Sequence, residues 1–215
     1  MKLRRPAARA LASMLGIGAF AVLGVSPALA DDNQITAGHV DIVEIDCDPG
    51  AGGVAQLEVG SHIDDNPFGS DHVDPGDIGD YSFNWTYDNG DLVGYGSNAY
   101  AIDVPEARLS EQPYVGFAYD EENHCAGISA PNLTVQLTKV SGSGNSTSTV
   151  SFAGAGSHNL VAGGTAMTLA QHDHIHGAWT VGASSETGVS DVLQFVVKNG
   201  ATTIGTVQTT FVVHS

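Results

Sequence analysis

The chain has few basic residues for its length. Lysine and arginine number 7 among 215 residues, against 24 aspartates and glutamates. Beyond residue 30, only Arg108, Lys139 and Lys198 oppose all 24 acidic side chains. Nucleic acids and anionic membrane surfaces are bound through basic patches, so the composition argues against both as partners. It favours either the attraction of cations or solubility in a salty or acidic habitat.

Long apolar runs are also scarce, and the one that is present lies near the N-terminus. Residues 11–25 follow a basic start and precede the Ala-Leu-Ala sequence at residues 28–30. This pattern is typical of a secretory signal peptide. No later run is long enough to span a bilayer. We therefore expect residues 1–30 to be a signal peptide, and residues 31–215 to be a single domain that is secreted or held at the cell surface.

Cysteine occurs only twice, at Cys47 and Cys125. An even count in an exported chain predicts a disulfide. A thiolate metal site is the alternative, because Cys125 follows His124 and Cys47 lies between two aspartates.

Helical periodicity is rare, whereas short stretches that alternate apolar and polar residues recur along the chain between turns rich in its 27 glycines. We predict an all-β fold, a single-domain antiparallel β-sandwich of immunoglobulin-like or jelly-roll-like type with long acidic loops. In the loop at residues 64–80, calcium could be bound by Asp71, Asp74, Asp77 and Asp80, although their spacing does not match the EF-hand pattern. A solvated acidic loop is the other interpretation.

Three of the nine histidines, His172, His174 and His176, stand at alternate positions. In a strand they would share one face, with neighbours about 6.5–7 Å apart. Two adjacent imidazoles can reach one ion at about 2 Å from each nitrogen, but the outer pair, about 13 Å apart, cannot. A third ligand must therefore come from another part of the chain.

Two histidine motifs resemble a known family. The Gly-His-Val-Asp-Ile sequence at residues 38–42 and the His-Ile-His-Gly-Ala-Trp sequence at residues 174–179 are similar to those of the choice-of-anchor M domain, also called the actinobacterial surface-anchored protein domain. The strand and acidic segment at residues 57–65 adds to the likeness. The resemblance implies a cell-surface role connected with metal, beside a metal-uptake transporter or a cell-wall component.

The residues and the resemblance together predict a transition-metal site. Its candidate ligands are His39, His62, His174 and His176, with His172 as an optional member. Imidazole ligands suit Zn²⁺ or Cu²⁺, and Asp41, Asp64 or Asp173 could bind the ion or orient a ring. The expected function is metal capture or delivery. The alternatives are a structural or adhesive module without metal, and a metalloenzyme resembling a superoxide dismutase or a zinc hydrolase.

Overall fold

Strands make up most of the described chain. The computed structural model describes residues 33–48, 56–86, 93–95, 99–119, 131–142, 150–182 and 189–214. Their strands are β1 (Gln34–Ile35), β2 (Gly38–Asp48), β3 (Gln56–Ile63), β4 (His72–Val73), β5 (Ser82–Thr86), β6 (Val93–Tyr95), β7 (Ala99–Ile102), β8 (Pro113–Tyr119), β9 (Leu133–Gly142), β10 (Ser151–Gly154), β11 (Asn159–Val161), β12 (Met167–Leu169), β13 (His174–Gly182), β14 (Val189–Asn199) and β15 (Thr202–His214). The helical elements of these ranges are two short 3₁₀ turns, Ile78–Asp80 and Glu106–Arg108. The all-β prediction is confirmed.

The strands form two sheets. The smaller sheet has the order β1-β5-β15-β14-β9-β12, and the larger has the order β11-β10-β13-β8-β2-β3-β4, with β7 pairing to β13 and β6 pairing to β7. Both sheets are mixed, because β1 and β5, β5 and β15, and β2 and β8 run parallel. The sandwich is thus confirmed, although its strands are not all antiparallel.

The core lies between the two sheets and is rich in aromatic side chains. Phe117 on β8 packs against Phe195 on β14, with ring centroids 5.9 Å apart. Trp179 on β13 packs edge to face on Phe211 of β15 at 5.0 Å. All four side chains are almost completely buried. Because side chains alternate along a strand, the neighbours of Phe117 and Trp179 in sequence lie on the outer face of the larger sheet.

The described residues belong to one compact unit, Asp31–Ser215. The residues predicted to form the signal peptide lie outside the described ranges. Within those ranges, no helix is long and apolar enough to cross a membrane. Cys47 is buried and no described cysteine is free. Cys125 lies outside the described ranges, so the Cys47–Cys125 bridge stays a prediction.

Candidate metal centre

The outer face of β13 carries the histidine pair. The strand begins at His174, so His174 and His176 point outward while Ile175 between them is buried against the core. His172 lies before the strand, in a turn, with a positive φ of 72°. The predicted alternation is therefore present for two of the three histidines, and His172 does not share their geometry.

Strand β2 supplies the remaining members from the same outer face. His39 and Asp41 alternate with Val40, which is fully buried in the core. The side chain of His39 is 17% exposed, and that of Asp41 is 2% exposed. The ligand that the histidine pair needs from elsewhere in the chain thus comes from a strand 135 residues earlier.

Strand β8 lies between β2 and β13, and one glycine on β8 leaves room for side chains of β2 and β13 to meet across it. Gly116 is the register partner of both Asp41 on β2 and His176 on β13. A Cβ atom at residue 116 would lie 2.5 Å from Nδ1 of His176, closer than real Cβ contacts allow. The His176 ring therefore occupies the space that a side chain at residue 116 would fill, and it reaches across β8 to β2.

The three imidazoles converge on one point. The Nε2 atoms of His39, His174 and His176 are each 3.0 Å from the other two. A hydrogen bond between two such nitrogens needs a proton on one and a lone pair on the other. Of three nitrogens, at least two must both carry a proton or both carry a lone pair. Hydrogen bonding therefore cannot satisfy all three contacts. A cation at the centre satisfies them together, because each lone pair then points to the ion.

The spacing fits a first-row transition metal. A point about 2.05 Å from all three nitrogens, as a Zn–N bond requires, lies about 1.1 Å from their plane and gives N–metal–N angles of about 94°. In a regular tetrahedron with bonds of this length, neighbouring ligand atoms are about 3.3–3.4 Å apart. Oδ1 of Asp41 is 3.4 Å from Nε2 of His174 and 3.5 Å from Nε2 of His176. Asp41 is therefore placed as a fourth ligand.

The charges of the group also suit a cation. Oδ1 of Asp41 is buried and has no hydrogen-bond partner. Burial raises the pKa of Asp41, but its contacts with His174 and His176 and its attraction to His39 outweigh this and lower the pKa below its ordinary value. Burial lowers the pKa of His39, and His176 adds to this effect against the attraction of Asp41. The group thus offers a carboxylate and a neutral imidazole, which are the protonation states that bind metal.

Tyr114, also on the outer face of β8, packs against the site. Its ring stacks on His176 with centroids 4.0 Å apart and planes 10° apart. His39 lies against the same ring at 6.3 Å. Burial, followed by the charges of Glu106 and Asp103, raises the pKa of Tyr114. Its ring holds the plane of His176 in place, a contribution that the sequence analysis did not foresee.

A bulge in β2 places a second carboxylate on the outer face. The register of β2 shifts between Asp41 and Glu44 against β3, so the outward positions change from odd to even numbers. The Ser61 hydroxyl, which is fully buried, donates to the carbonyl of Ile42 inside the bulge at 2.7 Å. Glu44 consequently points to the same face as His39 and Asp41 rather than into the core.

Glu44 engages His62, so His62 is not brought into the metal-binding group. Nδ1 of His62 is 3.3 Å from Oε1 of Glu44, and Nε2 donates to Oδ1 of Asp64 at 2.9 Å. The hydrogen bond with Glu44, opposed by burial, raises the pKa of His62 to about 9. Both ring nitrogens of His62 are thus directed at carboxylates. The other oxygen of Asp64 lies 3.6 Å from Nδ1 of His39, so Asp64 connects His62 to a candidate ligand.

The metal-binding group lies in a cleft of about 1200 Å³. The cleft is also lined by His172 and by His158 and Asp173, whose Nε2 and Oδ2 atoms are 3.3 Å apart. Asp173 accepts a hydrogen bond from the backbone of Ala170 at 2.7 Å and so lies outside the group. In the part of the chain that the structure describes, His39, Asp41, His174 and His176 form the one group of three or more such side chains close enough to hold an ion. The aspartates of the 64–80 loop form no such group within these ranges.

The chain matches no family model, and no curated protein and no solved structure matches it either. The resemblance to the choice-of-anchor M domain stays a prediction.

Proposed function

We propose that this protein binds a transition metal, Zn²⁺ in the first instance, through His39, His174, His176 and Asp41. The convergence of three Nε2 atoms at mutual distances of 3.0 Å carries the proposal. The buried Oδ1 of Asp41 supports it, because this oxygen has no hydrogen-bond partner and burying a carboxylate is costly unless an ion or a donor compensates it.

The ligand set favours Zn²⁺ or Cu²⁺ over calcium. Imidazole nitrogens suit zinc and copper, whereas calcium takes six to eight oxygen ligands. Catalytic zinc sites usually have three protein ligands and one water, while structural sites have four protein ligands. With Asp41, the proposed site has four protein ligands, which favours holding the ion over catalysis at it.

Capture or delivery of the ion fits the surroundings of the site. His174 is 30% exposed at the cleft, so an ion can be exchanged with solvent without unfolding the sandwich. The excess of acidic residues attracts cations to the molecule. The N-terminal signal pattern supports a location outside the cell, and the resemblance of the two histidine motifs to a surface family agrees with it.

Metal analysis of protein purified without an affinity tag tests the proposal. We expect about one zinc per chain and a higher unfolding temperature with Zn²⁺. Free metal at about 100 times Kd stabilises a folded protein by about 2.7 kcal/mol. His174→Ala and His176→Ala should remove this stabilisation.

His158→Ala is the matched control, because His158 lines the same cleft outside the group. It should leave the stabilisation unchanged. The proposal fails if the wild-type protein binds no metal and neither Zn²⁺ nor Cu²⁺ alters its unfolding temperature. That result would favour a structural or adhesive module.

A further inference from the structure

A lysine and an aspartate meet on the core-facing side of the smaller sheet. Lys139 follows the buried residues Leu133, Val135 and Leu137 at alternate positions of β9. Asp191 lies between Val189 and Leu193, which are buried on the same face of β14. Both side chains therefore point into the sandwich, where uncharged residues are the rule.

The two side chains are in contact. Nζ of Lys139 lies 2.9 Å from Oδ1 of Asp191, whose side chain is completely buried. The amine nitrogen is itself buried, and the contact does not have the angles of a hydrogen bond. Opposite Asp191 on β9 is Gly142, and a Cβ there would overlap the carboxylate. The carboxylate thus lies across β9, on the strand that carries the lysine.

An ion pair is a poor reason for this arrangement. Removing two charges from water is expensive, and their attraction repays it only where the hydrogen-bond geometry is good. Lys139 is also one of only three basic residues beyond residue 30. Because Nζ and Oδ1 are in contact, a proton can pass directly from the amine to the carboxylate as the two groups react. A neutral amine is a nucleophile, and a carboxylic acid is an acyl donor.

We propose that Lys139 and Asp191 condense to form an intramolecular amide that joins β9 to β14. Nζ attacks Cγ of Asp191, which is bonded directly to the oxygen that it already contacts. The new bond is Nζ–Cγ, and the bond that breaks is between Cγ and one carboxyl oxygen. That oxygen leaves as water with two protons: the one transferred to the acid and one released by the attacking amine. No oxidant or cofactor is required. Reacting groups held side by side gain the rate advantage of an intramolecular reaction.

The mass of the reduced, denatured protein tests the amide directly. In most of the wild-type protein, we expect a mass below the sequence mass by one water molecule. Digestion with trypsin should fail to cleave after Lys139, and it should yield a peptide spanning residues 109–198 with the same deficit.

Lys139→Arg keeps the positive charge but removes the amine, so it should show its full sequence mass. The wild-type measurement decides the question even if this variant does not fold. An unmodified wild-type mass together with cleavage after Lys139 would overturn the proposal. So would the same mass deficit in Lys139→Arg, since the water would then have been lost elsewhere.

Discussion

Replacing Gly116 with alanine tests the metal centre through a residue that binds nothing itself. The added Cβ would lie 2.5 Å from Nδ1 and 2.6 Å from Cε1 of His176, and 2.5 Å from the backbone oxygen of Ile175. Ordinary contacts of a Cβ atom begin at 3.4 Å, so the His176 ring and the adjacent backbone of β13 must move by about 1 Å. Metal–ligand distances tolerate only about 0.2 Å. We therefore expect the alanine variant to lose His176 as a ligand.

The expected loss of zinc affinity can be estimated. Removing a partner that only orients a metal ligand weakens metal binding by about 10-fold to 100-fold. Loss of a ligand should therefore weaken Zn²⁺ binding by about 100-fold or more, which is about 2.7 kcal/mol. At a fixed saturating zinc concentration, the metal-induced rise in unfolding temperature should shrink by about 5–10 °C for a domain of this size.

Competition calorimetry with Zn²⁺ measures the affinity, and thermal unfolding with and without metal measures the stabilisation. Gly60→Ala is the matched control. A Cβ at Gly60 on β3 would lie 2.7 Å from Cε1 of His72, a histidine outside the metal-binding group. It should disturb that ring and leave zinc affinity unchanged. Wild-type affinity in Gly116→Ala, or an equal loss in both variants, would refute the geometry described for His176.

Three further predictions concern residues around the site. Asp64→Asn removes the charge that faces His39 and should weaken zinc binding by about 10-fold to 100-fold in calorimetry, with unchanged affinity as the contrary result. The raised pKa of His62, about 9, stabilises the fold fully below pH 6.5, and this contribution disappears as the pH rises through 9. With solvent screening, the metal-free wild type should lose about 1–2 kcal/mol over that range in denaturant titrations. The His62→Gln variant should not show this loss of stability with rising pH. The prediction fails if both proteins show the loss. Ser61→Ala leaves the bulge carbonyl without its donor and should lower the free energy of unfolding by about 1–3 kcal/mol, whereas a change below about 0.5 kcal/mol would count against it.

Alternation along a strand was enough to find half of the site. It predicted that His174 and His176 share a face and that another ligand must come from a distant segment, and the structure brings His39 to that position. The Gly-His-Val-Asp motif also put Asp41 among the candidate carboxylates. The shared face of His174 and His176 depends on the period of a single strand, which the sequence contains directly. The choice of His39 rested mainly on the resemblance.

What the sequence could not supply was the pairing of strands. His62 lies on β3 and faces the same side as His39, but the bulge in β2 brings Glu44 beside it, and a register shift has no clear signature in sequence. Gly116 has no feature that distinguishes it from the other glycines until β2 and β13 are known to flank it. The sequence also did not show that β13 begins at His174. His172 lies in the turn before this strand, so it does not share a face with His174 and His176.

The position of the site across three strands gives the metal a mechanical role. An ion bound by β2 and β13 would clamp the two strands that flank β8, so neither of them could move away from β8 without breaking a metal bond. Amide hydrogen exchange in β8 should therefore slow when zinc is added, more than in strands of the opposite sheet. Because the ligands from β2 and β13 are far apart in the chain, the clamp can close only after β13 has been synthesised and has paired with β8.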